Sequence, residues 1–236
     1  MIINEHAAVI TNKILLVPYS EHHVPTYHGW MKDEGIQIAT ASEPLTLEEE
    51  YAMQRSWRKD ADKLTFISCL PPSTELLPTF DDVQNMIGDV NLFLLADESF
   101  EGEGVAPITG EVELMIAAQN HQGRGYGRAS LLAFLRYVSS HEEQILQQYQ
   151  GEQSQVRFHH LRVKIGQTNN RSIKLFESVG FHKVTTEPTY FGEYELRCES
   201  ISVDMIDQML EKYSNGDYRE LYYPLIDVKS EKDLGA

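Results

Sequence analysis

The chain has only two cysteines in 236 residues, Cys69 and Cys198. Both lie in apolar stretches without a CxxC partner, so the sequence suggests neither a disulfide framework nor a zinc site, and reduced, buried thiols are expected. Positive charge is scarce too: 20 Lys and Arg stand against 36 Asp and Glu, a formal net charge of −16. A nucleic-acid backbone or an anionic membrane would be repelled by most of such a surface. Amines and basic peptides suit it better, although solubility alone also accounts for the acidity. The apolar run Val90 to Ala96 is far too short to cross a bilayer, and the N-terminus shows no basic segment followed by an apolar core. A soluble, cytoplasmic protein is expected. His141-Glu142-Glu143 does not continue into HExxH, because Ile145 holds the final position, and the pairs His22-His23 and His159-His160 lack acidic partners at helical spacing; no metal site is expected. There is no internal repeat and no strong linker, so we expect a single α/β domain over residues 1–200, followed by a C-terminal helix and partly flexible tail over 201–236.

What is present reads as alternating elements. Ile14 to Val17 is a first strand stopped by Pro18, and His22 to Met31 a helix with Pro25 in its first turn. Ala39 to Pro44 reads as a loop. Thr46 and Glu49 have capping-box spacing at the start of a second helix, in which Leu47 with Tyr51 and Met53 with Trp57 form i,i+4 pairs. Leu64 to Leu70 is a strand ended by Pro71-Pro72, and Ser73 to Met86 a polar surface insertion. The buried strand Val90 to Leu95 then forms an antiparallel hairpin with Ile108 to Ala118 across the acidic tip Asp97 to Gly104. After a further helix and the polar residues Gln147 to Gln155, Leu161, Val163 and Ile165 alternate with Arg162 and Lys164 on a strand closed by Gly166. A short helix capped by Asn169-Asn170, closing strands Phe181 to Thr186 and Tyr190 to Glu199, a helix Val203 to Tyr213 and a frayed end Ser230 to Ala236 complete the reading.

Between the strand ending near Ala118 and the helix containing Leu131 and Leu135 lies Gln122-Gly123-Arg124-Gly125-Tyr126-Gly127-Arg128. Alternate glycines let backbone N–H groups turn toward one point, and a helix start adds unsatisfied donors and a positive dipole end. Such a loop suits an anion, most often a phosphate, although glycines here also serve a simple turn. Gly125-x-Gly127-x-x-Ser130 comes close to a dinucleotide fingerprint; its place after an antiparallel hairpin in mid-chain, rather than at the opening of a βαβ unit, argues against that use.

Two motifs in this order carry a resemblance. Gln122 to Gly127 resembles the Q/R-x-x-G-x-G/A acyl-CoA signature of the GCN5-related N-acetyltransferases, and Asn169 with Ser172 to Phe181 resembles that family's second motif. Asn12 to Tyr19, His23-Val24, Tyr27 to Met31 and Thr40 to Tyr51 are similar to the eukaryotic N-acetyltransferase nine-like subfamily. The resemblance implies an α/β fold with a mixed, mostly antiparallel central sheet, splayed at the acyl-CoA site and flanked by helices. It also implies acetyl-CoA as co-substrate and a protein amine, an N-terminal α-amine first among them, as acceptor.

Acetyl transfer from a thioester to an amine needs a held pyrophosphate, a polarised carbonyl, a deprotonated amine and an exit for the thiolate. The resemblance assigns the first to Gln122, Gly123, Arg124, Gly125, Tyr126, Gly127 and Arg128, and the second to a backbone N–H among Leu114, Met115 and Ile116. Glu111 and Glu113, alternating with Val112 and Leu114, share one face of the strand and are the candidate bases, acting through a water or only orienting the amine. Asn169 either bonds the cofactor or caps a helix. Phe176 stands where many relatives carry a tyrosine thought to protonate the thiolate; it has no proton to give, which leaves another acid, solvent or unaided departure, and keeps open a catalytically weak acyl-CoA-binding or protein-interaction module. Trp30, Glu43 and Tyr190 are candidates for the acceptor side, against the plainer reading of core or rim residues.

Overall fold

A computed structural model describes residues 1–72, 81–97, 100–101, 106–151, 157–213 and 216–224. Its elements are β1 (Ala7–Ile10), β2 (Leu15–Pro18), α1 (Val24–Trp30), α2 (Glu34–Thr40), α3 (Leu47–Lys59), β3 (Lys63–Cys69), α4 (Asp82–Asn85), β4 (Met86–Ala96), β5 (Ile108–Ile116), α5 (Tyr126–Ser140), α6 (Glu142–Gln150), β6 (His160–Gly166), α7 (Asn170–Glu177), β7 (His182–Lys183), β8 (Glu193–Cys198), α8 (Val203–Lys212) and β9 (Arg219–Tyr222). The strands form one sheet in the order β7-β8-β6-β5-β4-β3-β2-β1-β9. Every neighbouring pair is antiparallel except β5 and β6. No described helix is long and apolar enough to cross a membrane.

Period-two alternation sends residues of the central strands to two separate apolar layers. Leu64, Phe66, Val90, Leu92 and Val112 face α5, whose Leu131, Phe134, Leu135 and Val138 are buried; Phe66 meets Phe134 and Tyr137 edge-on at 6.1 and 5.1 Å. Val17, Ile67, Cys69 and Met115 face the other way, onto Val24 and Tyr27 of α1 and Met53 and Trp57 of α3. Helices on both faces explain why β2 and β3 are almost wholly buried.

Two backbone features shape the middle of the sheet. The β5/β6 pairing covers only Thr109–Glu111 against His160–Arg162. Beyond it β5 stays on β4 as far as Ile116 and β6 stays on β8 as far as Gly166, so the two parallel strands part. The expected splay is therefore present. At Gly88, opposite Ile116, an added Cβ would lie 1.9 Å from the Met115 carbonyl oxygen; only glycine permits that approach.

Several expectations need correction. Residues 34–40 are helical, with Asp33 Oδ1 accepting from the amides of Gly35 and Ile36, so the expected loop Ala39 to Pro44 begins two residues late. The polar stretch from Gln147 is helical through Gln150 because Ile145 and Leu146 are buried beneath α6. The closing strands are shorter than expected, and Tyr190 lies on a turn between them. The sheet also gains β1 and β9, neither of them expected: Ala7 to Ile10 pairs with Tyr222 to Arg219, so the C-terminal region contributes a strand as well as α8. The frayed end 230–236, most of the insertion 73–86, and parts of the stretches 97–104 and 147–155 lie outside the described residues.

Candidate active site

The glycine-rich segment joins the end of β5 to the start of α5. Gln122 Nε2 donates to the carbonyl of Ile116 at 2.8 Å, tying the loop to the strand end. Gly123 and Gly125 have φ of 76° and 84°, a region that favours glycine, and Gly125 is the N-cap of α5. The amide of Ala129 bonds to the Gly125 carbonyl, so the amides of Tyr126, Gly127 and Arg128 belong to the first turn, where a helix has no acceptor of its own. Leu114 and Ile116 pack beneath Gly127, each 3.7 Å from where its Cβ would stand.

Two cations from distant parts of the chain lean over this loop. A Cβ on Gly125 would sit 3.0 Å from Lys13 Nζ, and one on Gly123 would sit 3.0 Å from an Arg171 guanidinium nitrogen. Of the loop's own arginines, Arg124 and Arg128, only the first is turned outward. Arg124 is exposed on the loop, but the Arg128 side chain turns away, donating to Ser178 Oγ at 3.3 Å with its guanidinium 4.2 Å from the Tyr213 ring centre. Only the Arg128 amide remains at the helix start. Small glycines, first-turn donors and Lys13 with Arg171 make a cationic cradle in an otherwise acidic protein, and it suits a diphosphate.

The second motif contributes packing. Asn169 Oδ1 accepts from the Ser172 amide at 3.1 Å, the N-cap bond of α7. Phe176 is 3% exposed and meets Phe181 edge-on at 5.2 Å; it is a core side chain.

On the opposite face of β5 the two candidate acids differ sharply. Glu111 is held by Arg162 Nε at 2.7 Å and Lys164 Nζ at 3.2 Å. Glu113, directly opposite Asn91 on β4, has no cation within ion-pair distance among the described residues. Its side chain is exposed, yet enough protein lies around it to strip part of its hydration. Loss of hydration, then the negative charges of Asp89 and Glu111, push its carboxyl up to about 7 against the pull of Lys164. Asp89, which no motif in the sequence marks, is 2% exposed and accepts from Asn91 Nδ2 at 2.8 Å and the Tyr27 hydroxyl at 3.2 Å. Burial raises it to about 6 despite those bonds.

The candidate acceptor residues are scattered. Trp30 is half-buried beside Tyr27, ring centres 6.0 Å apart. Glu43 is exposed between α2 and α3. Tyr190 is 98% exposed and forms an aromatic tip with Phe191, held to the end of β6 by the Gln167 amide bonded to the Gly192 carbonyl at 2.8 Å. Because β5 and β6 are parallel, this tip and the glycine loop stand at the same end of the sheet.

A second polar cluster joins His22 and His23 to Asp82, 3.2 and 3.4 Å away, with the Tyr223 hydroxyl also donating to Asp82. The acid comes from α4, which is why no helical spacing revealed it. Burial pushes the Asp82 carboxyl up, but hydrogen bonds from both imidazoles and from Tyr223 hold it well below the ordinary range. The Ser20 amide donates to His23 Nδ1 at 3.0 Å, which places the ring proton on Nε2, facing the carboxylate. A metal ligand needs the reverse tautomer, so the cluster is a clasp between the entry to α1, α4 and the residue after β9.

Comparison with known proteins agrees with this geometry. Residues 13–182 match the family model described as an acetyltransferase (GNAT) domain. An N-acetyltransferase 9-like protein of Schizosaccharomyces pombe is 40% identical, the match covering 83% of this chain and 97% of that protein. The human alpha/beta-tubulin-N-acetyltransferase 9 is 38% identical over 91% of this chain and 93% of its own. A domain from Methanocaldococcus jannaschii, 20% identical, superposes with a TM-score of 0.55 over 80% of this chain and 99% of its own, which supports the fold. The glycine loop, the parted strands and these relatives together establish that the chain belongs to the GNAT acetyltransferase family.

Proposed function

We propose that this acetyltransferase is a cytoplasmic enzyme that uses acetyl-CoA to acetylate a protein amine, an N-terminal α-amine, with Glu113 as its base. The observation that carries the reading is the conjunction of a cationic glycine cradle, a parted pair of parallel strands and an unneutralised carboxylate on the strand leading to that cradle. Bound acetyl-CoA supplies an acetyl thioester whose carbonyl carbon the acceptor nitrogen attacks, forming an amide as the carbon–sulfur bond breaks. In this reading the amides of Gly123 to Arg128, with Lys13 and Arg171, hold the diphosphate. A backbone N–H among Leu114, Met115 and Ile116, on the edge of β5 that faces away from β4, holds the acetyl oxygen. Glu113 takes the acceptor's proton, directly or through a water. Glu111, fastened to Arg162 and Lys164, maintains the charge pattern around it. Phe176 has no proton to give, so the thiolate departs unaided or is protonated by solvent; a thiol pKa near that of free cysteine suits this.

Three relatives carry tubulin in their names, which makes tubulin N-termini the first acceptors to try. The test is incubation of the full chain with labelled acetyl-CoA and synthetic peptides bearing the N-termini of α- and β-tubulin, alongside a peptide library, with the modified nitrogen identified by mass spectrometry. Product on the α-amine, lost with Glu113→Gln, supports the reading. Phe176 favours one rival, an acyl-CoA-binding module with little catalysis; tight binding of the cofactor without product on any peptide would decide for that rival.

A further inference from the structure

Asp89 sits where a carboxylate is costly. It lies in the middle of β4, 2% exposed, between Ile67 of β3 and Met115 of β5. Two neutral donors, Asn91 and Tyr27, satisfy its Oδ2, and among the described residues no cation is paired with it. An amide in the same place would accept from the Tyr27 hydroxyl equally well, so anchoring α1 does not by itself call for a charge.

Its position relative to Glu113 does. Asn91 is directly opposite Glu113, and Asp89 is two residues before Asn91 on the same face, which makes Asp89 and Glu113 diagonal neighbours across the β4/β5 pair. We propose that Asp89 is a positioning residue for the reaction: its buried charge, diagonal to Glu113 and unpaired with any cation among the described residues, adds to the loss of hydration there and makes Glu113 hold a proton tightly enough to take one from an acceptor ammonium near neutral pH. The inference rests on the reading of Glu113 as the base.

The other charges around the two groups leave that role to Asp89. On the sheet, Glu111 shares its charge with Arg162 and Lys164, while Lys164 itself opposes the effect and Glu193 of β8 adds weakly to it. On the helical side, Asp89 meets the Tyr27 hydroxyl; Tyr19 and the buried Glu50 of α3 lie beyond, the latter 3.8 Å from His28. β3 presents only Ile67 to it. With Asp89 at about 6 and Glu113 at about 7, the pair holds a proton across the range where an ordinary glutamate is already empty. A base near 7 is far better matched to an ammonium than one near 4.5.

The experiment is a side-chain carboxyl carbon NMR titration of the full chain labelled in Asp and Glu, with pH profiles of kcat/KM on whichever peptide is acetylated. Removing a like charge at this separation should lower the Glu113 midpoint by about one pH unit, roughly tenfold in proton affinity, in Asp89→Asn. Coupling is reciprocal, so Glu113→Gln should lower the Asp89 midpoint similarly; this surface variant reports even if Asp89→Asn does not fold. The rising limb of the activity profile should move to lower pH with Asp89→Asn, which a purely structural role would not cause. Unmoved midpoints overturn the proposal whatever the activity. Moved midpoints with an unmoved activity profile overturn the catalytic use of the pair, and moved midpoints without product on any peptide overturn instead the assignment of Glu113 as a base.

Discussion

Replacing Gly88 by alanine tests whether the site depends on the spacing of β4 and β5. The new methyl would stand 1.9 Å from the Met115 carbonyl oxygen, 2.8 Å from its carbon and 3.0 Å from Ile116 Cα. All three are backbone atoms, so relief requires separating the strands by about an ångström or more, and no rotamer change avoids it. Overpacking of this kind costs about 1–3 kcal/mol and sometimes more. For a chain of this size each kcal/mol lowers Tm by about 2–4 °C, so a fall of roughly 2–12 °C by calorimetry is expected. The strand that moves is the one expected to bond the acetyl oxygen, and an ångström of misplacement at a reacting centre is worth about a hundredfold in rate. kcat/KM should therefore fall by about that factor, mostly in kcat, with CoA affinity less affected because the cradle lies beyond Ile116. A Tm within a degree of the wild type together with unchanged kcat would refute the reasoning.

Gly125→Glu sets a carboxylate beside Lys13 and forces a side-chain residue to φ near 84°, so CoA affinity by titration calorimetry should drop about a hundredfold while the sheet survives; unchanged affinity would remove the cradle from the site. Lys13→Ala and Arg171→Ala should each weaken CoA binding by about tenfold and flatten its dependence on salt, and an unaltered salt slope would count against both residues. Phe176→Tyr adds a hydroxyl among buried rings; destabilisation of about 1–3 kcal/mol with nearly constant turnover is expected, whereas a large gain in turnover would show that thiolate protonation limits the rate. Glu113 holds its proton more tightly folded than unfolded, so its contribution is fully present below about 4.5 and is lost as pH rises toward about 7. Glu113→Gln, a permanent mimic of the protonated side chain, should thus raise Tm more in mildly alkaline than in acidic buffer; an equal change at both pH values would argue against the raised carboxyl.

The elements legible in the sequence were those whose cause is local. Thr46 and Glu49 cap α3 reciprocally, the Thr46 amide donating to Glu49 Oε2 at 2.8 Å and the Glu49 amide to Thr46 Oγ1 at 3.3 Å, entirely within four residues. The glycines at 123 and 125 announce their positive φ by type alone. By contrast, α2 buries no residue and so has no apolar stripe to read, and β9 is a four-residue strand whose partner lies at the other end of the chain. The site divides along the same line. Its loop is a continuous motif, but Lys13 and Arg171 reach it from two other elements, and the burial that makes Asp89 unusual is created by α1 and the flanking strands. The direction of the Arg128 side chain is illegible for a related reason: Ser178 and Tyr213, both far along the chain, hold its guanidinium.

The pairing of β1 with β9 has a bearing on how the chain is made. β1 is finished by residue 10, yet its outer partner does not exist until residue 222 has been added. At ordinary synthesis rates that interval is roughly ten to forty seconds. Throughout it, one margin of the growing sheet offers unsatisfied backbone donors and acceptors to any extended segment nearby, including those of neighbouring nascent chains. A message truncated just short of Arg219 would encode every residue of the glycine cradle and still yield a protein with this margin permanently open, so loss of the last strand should be felt first as aggregation during synthesis.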